Sequence, residues 1–212
     1  MTYYILLASV AVIGYLLGSI NSAVILSKAV YGQDIRTQGS GNAGMTNMNR
    51  VYGKRAALFT FLGDFCKGII AVLLGKLLFH FFGFDSSQGA CIAGAFAVIG
   101  HNWPVYFGFK GGKGVLTSFS VLVIVAPIPA LLSLVVFVVI VALTKYVSLG
   151  SIVGSALLPI MVFFAGDYLF LTSGITSTFW LCVFVAVLII VRHHANIKRL
   201  IKGEESKLNF KK

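Results

Sequence analysis

The chain has 212 residues, of which 58% are hydrophobic and only 11% charged. A soluble domain carries about 25% charged residues, so these charges are too few to cover a water-facing surface, and lipid must solvate most of the chain. The net charge of +11 sits in segments between apolar runs, which is the pattern of cytoplasmic loops and not of a nucleic-acid binder. It suits anionic lipid or phosphorylated substrates.

Apolar runs cover 3–30, 56–82, 88–106, 115–144, 149–170 and 174–191, and about 20 residues cross a bilayer as a helix. No Lys or Arg precedes the first run and Lys28 closes it. That order argues against a cleaved signal peptide and places the N-terminus outside. Loop 31–55, with Arg36, Arg50, Lys54 and Arg55, and loop 107–114, with Lys110 and Lys113, are then cytoplasmic. The acids Asp85 and Asp167 fall on the outer connections. Run 115–144 carries Pro127 and Pro129 at its middle. As one span it would put segment 192–212, with seven Lys/Arg against two Glu, outside. A hairpin broken at Val125–Pro129 puts that segment inside. The expectation is an all-α integral membrane protein with seven transmembrane helices, six being the alternative, and with its C-terminus cytoplasmic. Residues 1–212 read as one domain. Gly14-x-x-x-Gly18 and Gly150-x-x-x-Gly154 are spaced for close helix packing. Cys66, Cys91 and Cys182 form no C-x-x-C pair, read as packing residues, and leave no metal site expected.

Three polar segments carry the chemistry. Gly39-Ser40-Gly41-Asn42-Ala43-Gly44-Met45-Thr46-Asn47-Met48-Asn49-Arg50 is a glycine-rich loop able to form an anion nest. Ser40, Thr46 and Asn47 add donors, and Arg50 adds a bidentate charge. Lys110-Gly111-Gly112-Lys113-Gly114 opens an apolar helix, so free N–H groups and the positive helix end face it. It lacks the Walker A spacing. Nearby His101 reads by itself as a satisfied interface histidine. In Arg192-His193-His194-Ala195-Asn196-Ile197-Lys198-Arg199-Leu200-Ile201-Lys202-Gly203-Glu204-Glu205, a continuing helix would put His193 and Asn196 on one face. Lys198, Lys202, Lys207, Lys211 and Lys212 read as a basic membrane-surface tail. Asp64 and Lys67, at i and i+3 within an apolar run, read as a mutual structural pair.

Together these segments resemble the three motifs of the bacterial membrane-bound acyl-phosphate:glycerol-3-phosphate acyltransferase family. The first is similar to its S-G-N-x-G-x-T-N-x-x-R loop, the second to its G-H-x-x-P-x-F-x-x-F-K-G-G-K-G-V stretch, and the third to its H-x-x-N-I-x-R-L-x-x-G-x-E end. Shorter similarities include Asp34-Ile35-Arg36 and Asp64-x-x-Lys67-Gly68. Ala43, Asn21 and Leu116 depart from the family's common Pro or Ile, Pro, and Ala without removing a polar group that the pattern requires.

The resemblance implies transfer of a fatty acyl group from acyl phosphate to the 1-hydroxyl of sn-glycerol-3-phosphate. The products are lysophosphatidate and phosphate, no cofactor takes part, and the site faces the cytoplasm at the bacterial inner membrane. Implied partners are the two substrates, the bilayer and other phospholipid-synthesis enzymes. Ser40, Gly41, Asn42, Gly44, Thr46, Gly111 and Gly112 are the candidates for holding acyl phosphate. Arg50, Lys110, Lys113, Ser151, His193 and Asn196 are those for glycerol-3-phosphate. The catalytic candidates are Ser40, His193 and Lys113. His193 or the donor's own phosphate could be the base, and a Ser40 acyl-enzyme ranks last because an anhydride donor needs no second activated ester. The competing class is an organic-anion transporter, which would place its polar groups near the midplane.

Overall fold

The structure, a computed structural model, describes residues 1–165 and 175–208. Asp167, Lys211 and Lys212 lie outside the described residues. The chain forms two compact units, Met1–Ile124 and Val125–Lys212. Among the described residues all regular elements are helical.

In the first unit the expected opening helix is two helices, α1 (Thr2–Ser19) and α2 (Ser22–Tyr31). The chain leaves the helix at Ile20 and Asn21, and the Asn21 side chain caps α2 by accepting from the Val24 N–H. An asparagine thus makes the break that a proline would make by lacking its N–H. Helix α3 runs from Met45 to Phe81 and is interrupted at Gly53, where φ is +83°. This corrects the reading of 31–55 as loop, because Met45–Tyr52 is helical and Arg50 stands on a helix. Only glycine reaches that backbone angle at low cost, so the turn between the polar helical start and the long apolar remainder falls there. Helix α4 (Ser86–Asn102) ends before Pro104, and α5 (Val115–Val125) follows the lysine-glycine loop. Helices α1, α3 and α4 pack on one another. A Cβ on Gly14 or Gly18 would strike the backbone of Ala93 or Ala97 in α4, so the small-residue spacing serves the close approach expected of it.

The second unit holds α6 (Pro127–Thr144), α7 (Val147–Ala165), α8 (Ile175–Arg192) and α9 (His194–Ile201), with α7 packed against α6, α8 and α9. Helicity stops at Ala126, immediately before Pro127, within the expected break. Gly150 and Gly154 face Phe137 and Ser133 of α6 at close range.

Among the described residues four helical stretches are long and apolar enough to cross a membrane. They are Thr2–Tyr31, Met45–Phe81, Pro127–Thr144 and Val147–Phe164. A fifth forms if Thr176–Arg192 and His194–Ile201, bent by 57°, make one span. Helix α5, with 11 residues, reaches about 16 Å against about 30 Å of hydrocarbon, so it is too short to cross alone.

Candidate active site: two basic glycine loops and a capped histidine helix

The glycine-rich loop of the first unit is held from below. Ala43 is fully buried in a cluster with Ala23, Val24, Ile35, Met48 and Ala56. Asn47, read above as an anion donor, is instead consumed by the loop. Its Nδ2 donates to the carbonyls of Ile35 and Gln38, and its Oδ1 accepts from the Ser40 N–H. Ser40 and Gly41 are left exposed, with Asn42 and Gly44 half-buried. Gly44 caps α3, so the first N–H groups of that helix face the loop, as the α5 N-terminus faces the second loop. Thr46 and Arg50 are four residues apart on that helix and share a face.

The second loop folds back on the end of α4. Gly111 N–H donates to the Asn102 carbonyl and Gly112 N–H to that of His101. A Cβ on Gly112 would meet His101 Nε2 and lie 2.9 Å from the Ala43 carbonyl oxygen, so the two loops touch at a point that only glycine fits. Arg36 joins them again. Its Nη1 donates to the Phe107 and Lys110 carbonyls at 2.6 and 3.0 Å, while its Nε and Nη2 grip Asp34. The hydrogen bonds from Arg36 hold the Asp34 carboxyl well below the usual carboxylate range despite partial burial. Beneath the loop, the Asn102 amide and the Thr117 and Ser118 hydroxyls are buried without a hydrogen-bond partner among the described residues. Lys110 is exposed and Lys113 half-buried.

In the second unit the α8 helix does not continue as expected. It bends by 57° at His193, the residue that precedes α9. The chain still buries both His193 and Asn196. His193 Nδ1 lies 2.8 Å from the Ile189 carbonyl oxygen, which can only accept. The ring proton is therefore on Nδ1, and neutral His193 carries its lone pair on Nε2. Glu205 orients the segment: Oε1 accepts from Asn196 Nδ2 at 2.6 Å and from Ser148 Oγ at 2.8 Å, and Oε2 accepts from Arg199 Nε at 2.7 Å. Burial alone would raise the Glu205 carboxyl, but these hydrogen bonds outweigh it and hold it below its ordinary 4.5. Ser151, buried in α7, donates to the Val147 carbonyl.

The sequence reading missed Arg36 and Glu205 as organisers. The signals were present in the Asp34-Ile35-Arg36 run and in the glutamate that closes the third motif. It also read Asp64–Lys67 as a simple pair. Lys67 Nζ does lie 2.8 Å from Asp64 Oδ1, but it also meets the Ile20 carbonyl and His101 Nδ1. Among the described residues no group of three His, Cys, Asp or Glu could hold a metal.

The family model for glycerol-3-phosphate acyltransferase matches residues 8–203. The chain belongs to the glycerol-3-phosphate acyltransferase family. It is an enzyme of the acyltransferase class and an integral membrane protein. Among its relatives, the glycerol-3-phosphate acyltransferase of Clostridioides difficile is 45% identical, with 96% of each chain covered. Among solved structures, PlsY (YgiH), an integral membrane glycerol 3-phosphate acyltransferase, in its glycerol 3-phosphate form superposes with a TM-score of 0.84. It is 37% identical, with 96% of each chain covered. The lysophosphatidic acid form of PlsY gives a TM-score of 0.81 at 36% identity, covering 96% of this chain and 95% of that one. In this acyltransferase the first two polar segments fall within the matched residues, and the third lies within them as far as Gly203.

Proposed function

We propose that the enzyme transfers a fatty acyl group from acyl phosphate to the 1-hydroxyl of sn-glycerol-3-phosphate, yielding lysophosphatidate and inorganic phosphate, as the first acylation of phospholipid synthesis. One observation carries the reading: two basic glycine loops, each ending on a helix N-terminus, are clasped together by Arg36. Such a surface suits an acyl phosphate, a mixed anhydride whose leaving group is itself phosphate, since N–H groups and fixed cations neutralise charge without supplying a nucleophile. The relative PlsY, crystallised in glycerol 3-phosphate and lysophosphatidic acid forms, supports the acceptor and the product.

Ser40, Gly41, Asn42, Gly44, Thr46, Gly111 and Gly112 hold the acyl-phosphate head. Arg50, Lys110, Lys113, Ser151, His193 and Asn196 bind the acceptor. The Nε2 lone pair of His193 is the protein group suited to take the hydroxyl proton, and the donor phosphate is the alternative base. Lys113 neutralises charge developing on the leaving phosphate. Residues 1–212 act as one catalytic domain with seven membrane helices, the short α5 being one of them with its ends shielded by neighbouring helices, N-terminus out and C-terminus in, at a bacterial inner membrane. The site opens to the cytoplasm, beside other enzymes of phospholipid synthesis.

The test mixes purified protein with palmitoyl phosphate and glycerol-3-phosphate and follows phosphate and lysophosphatidate, with palmitoyl-CoA as control donor. Product from acyl phosphate alone is expected. Equal product from palmitoyl-CoA refutes the donor assignment, and no product from either donor turns the reading to anion transport, measured by uptake into liposomes.

A further inference from the structure

Lys67 is a charged residue buried in α3, 5% exposed. Its ammonium has three close neighbours: the Ile20 carbonyl oxygen at 2.7 Å, Asp64 Oδ1 at 2.8 Å and His101 Nδ1 at 3.0 Å. The contact with Asp64 is an ion pair between two buried side chains. An ammonium donates and cannot accept. With Lys67 charged in its ion pair with Asp64, His101 Nδ1 faces it with a lone pair and stands 3.7 Å from Asp64 Oδ1, too far to donate to it, so neutral His101 carries its proton on Nε2, the opposite tautomer to His193.

Both sides of this contact lead to the glycine loops. His101 Nε2 is the atom that a Cβ on Gly112 would strike. Ile20 is the last residue before Asn21, whose Nδ2 donates to the Ala43 carbonyl at 3.4 Å, and that same carbonyl oxygen lies against Gly112. The chain of contacts runs from Lys67 through Ile20 and Asn21 to Ala43, across to Gly112, and through His101 back to Lys67. It closes on itself within the first unit.

We propose that Lys67 is a positioning residue for acyl transfer, its buried ammonium fixing the His101 tautomer and closing a ring of contacts that holds the two donor-binding loops against each other. The inference rests on the reading above that these loops take acyl phosphate. Lys67 touches no substrate; it acts through His101 and the Ile20–Asn21 break.

The test removes both charges together, in Asp64→Asn/Lys67→Met, because a single change would strand a buried charge. The folded double variant is expected to show a KM for palmitoyl phosphate raised about tenfold or more, with kcat and the KM for glycerol-3-phosphate within about threefold of wild type. In wild-type protein with 15N-labelled histidine, NMR is expected to show one ring protonated on Nε2 with a hydrogen-bonded Nδ1, assigned to His101 by its loss in His101→Gln. A folded double variant with both KM values unchanged overturns the proposal. So does a parallel loss of kcat and both affinities, which is what a purely structural pair would give. Should the variant fail to fold, the wild-type spectrum still decides, since a His101 proton on Nδ1 is incompatible with the ring. Wild-type enzyme that ignores palmitoyl phosphate removes the donor assignment itself, which separates that failure from failure of the clamp.

Discussion

Glu205→Ala should release the C-terminal segment from α7 and α9. The carboxylate accepts from Asn196 and Ser148 at one oxygen and from Arg199 at the other. Hydrogen bonds to a charged group contribute about 1.5–3 kcal/mol each. The Arg199 side chain is 39% exposed, so that bridge adds about 0–1 kcal/mol. Taking the lower end for a tail in contact with water, the loss is about 3 kcal/mol, or roughly a 150-fold rise in the opening equilibrium. Hydrogen exchange reads this directly at amides that depend on the closed segment: Ile197 bonded to His193, Glu204 to Arg199, and Leu208 to Lys145. Their exchange should accelerate by about that factor. Glu205→Gln retains an oxygen for Asn196 and Ser148 and should accelerate exchange only about tenfold. Exchange in Glu205→Ala within about threefold of wild type would refute Glu205 as the anchor.

Gly112→Ala should raise the KM for acyl phosphate about tenfold or more, because its Cβ meets His101 and the Ala43 carbonyl, both held in place; steady-state kinetics at saturating acceptor check this. Arg36→Ala should lower thermal stability by about 2 kcal/mol through loss of its two carbonyl bonds, with Arg36→Lys recovering only part, as a single-point donor cannot span both loops and Asp34. Asp34 and Glu205 have folded-state values below their unfolded ones. Their contributions are therefore present above the ordinary 3.8 and 4.5 and vanish as pH falls through the lowered values. Exchange at the tail amides should be flat from about pH 6 to 8 once corrected for intrinsic rates and should rise only once pH falls below the ordinary glutamate value of 4.5. Thr117→Val removes a buried hydroxyl that has no partner among the described residues and should leave the melting temperature unchanged or higher; a clear fall would show that the hydroxyl is satisfied in the working enzyme.

Much of the architecture was legible before any tertiary contact was known. Hydropathy marks α1–α2, the long part of α3, α6, α7 and α8, because lipid demands an apolar surface over about 20 residues whatever a helix packs against. Pro127 and Pro129 announce the break at Ala126, and the basic glycine runs announce loops at helix N-termini, since proline and glycine act through their own backbones. Ser40, Arg50, Lys113, His193 and Asn196 could be singled out because their chemistry is carried by residue type and local spacing. The tertiary structure alone decided where those groups are held. Asn47 has the makings of a ligand donor, yet the carbonyls of Ile35 and Gln38 consume it. The Arg36 partners lie 71 and 74 residues away, and Lys67 meets His101 across 34. Spacing along one helix shows the Asp64–Lys67 pair because its geometry repeats every turn. It is silent on a third partner from α4, because which carbonyl or ring a buried ammonium finds depends on how helices cross, and that is settled only when the unit packs.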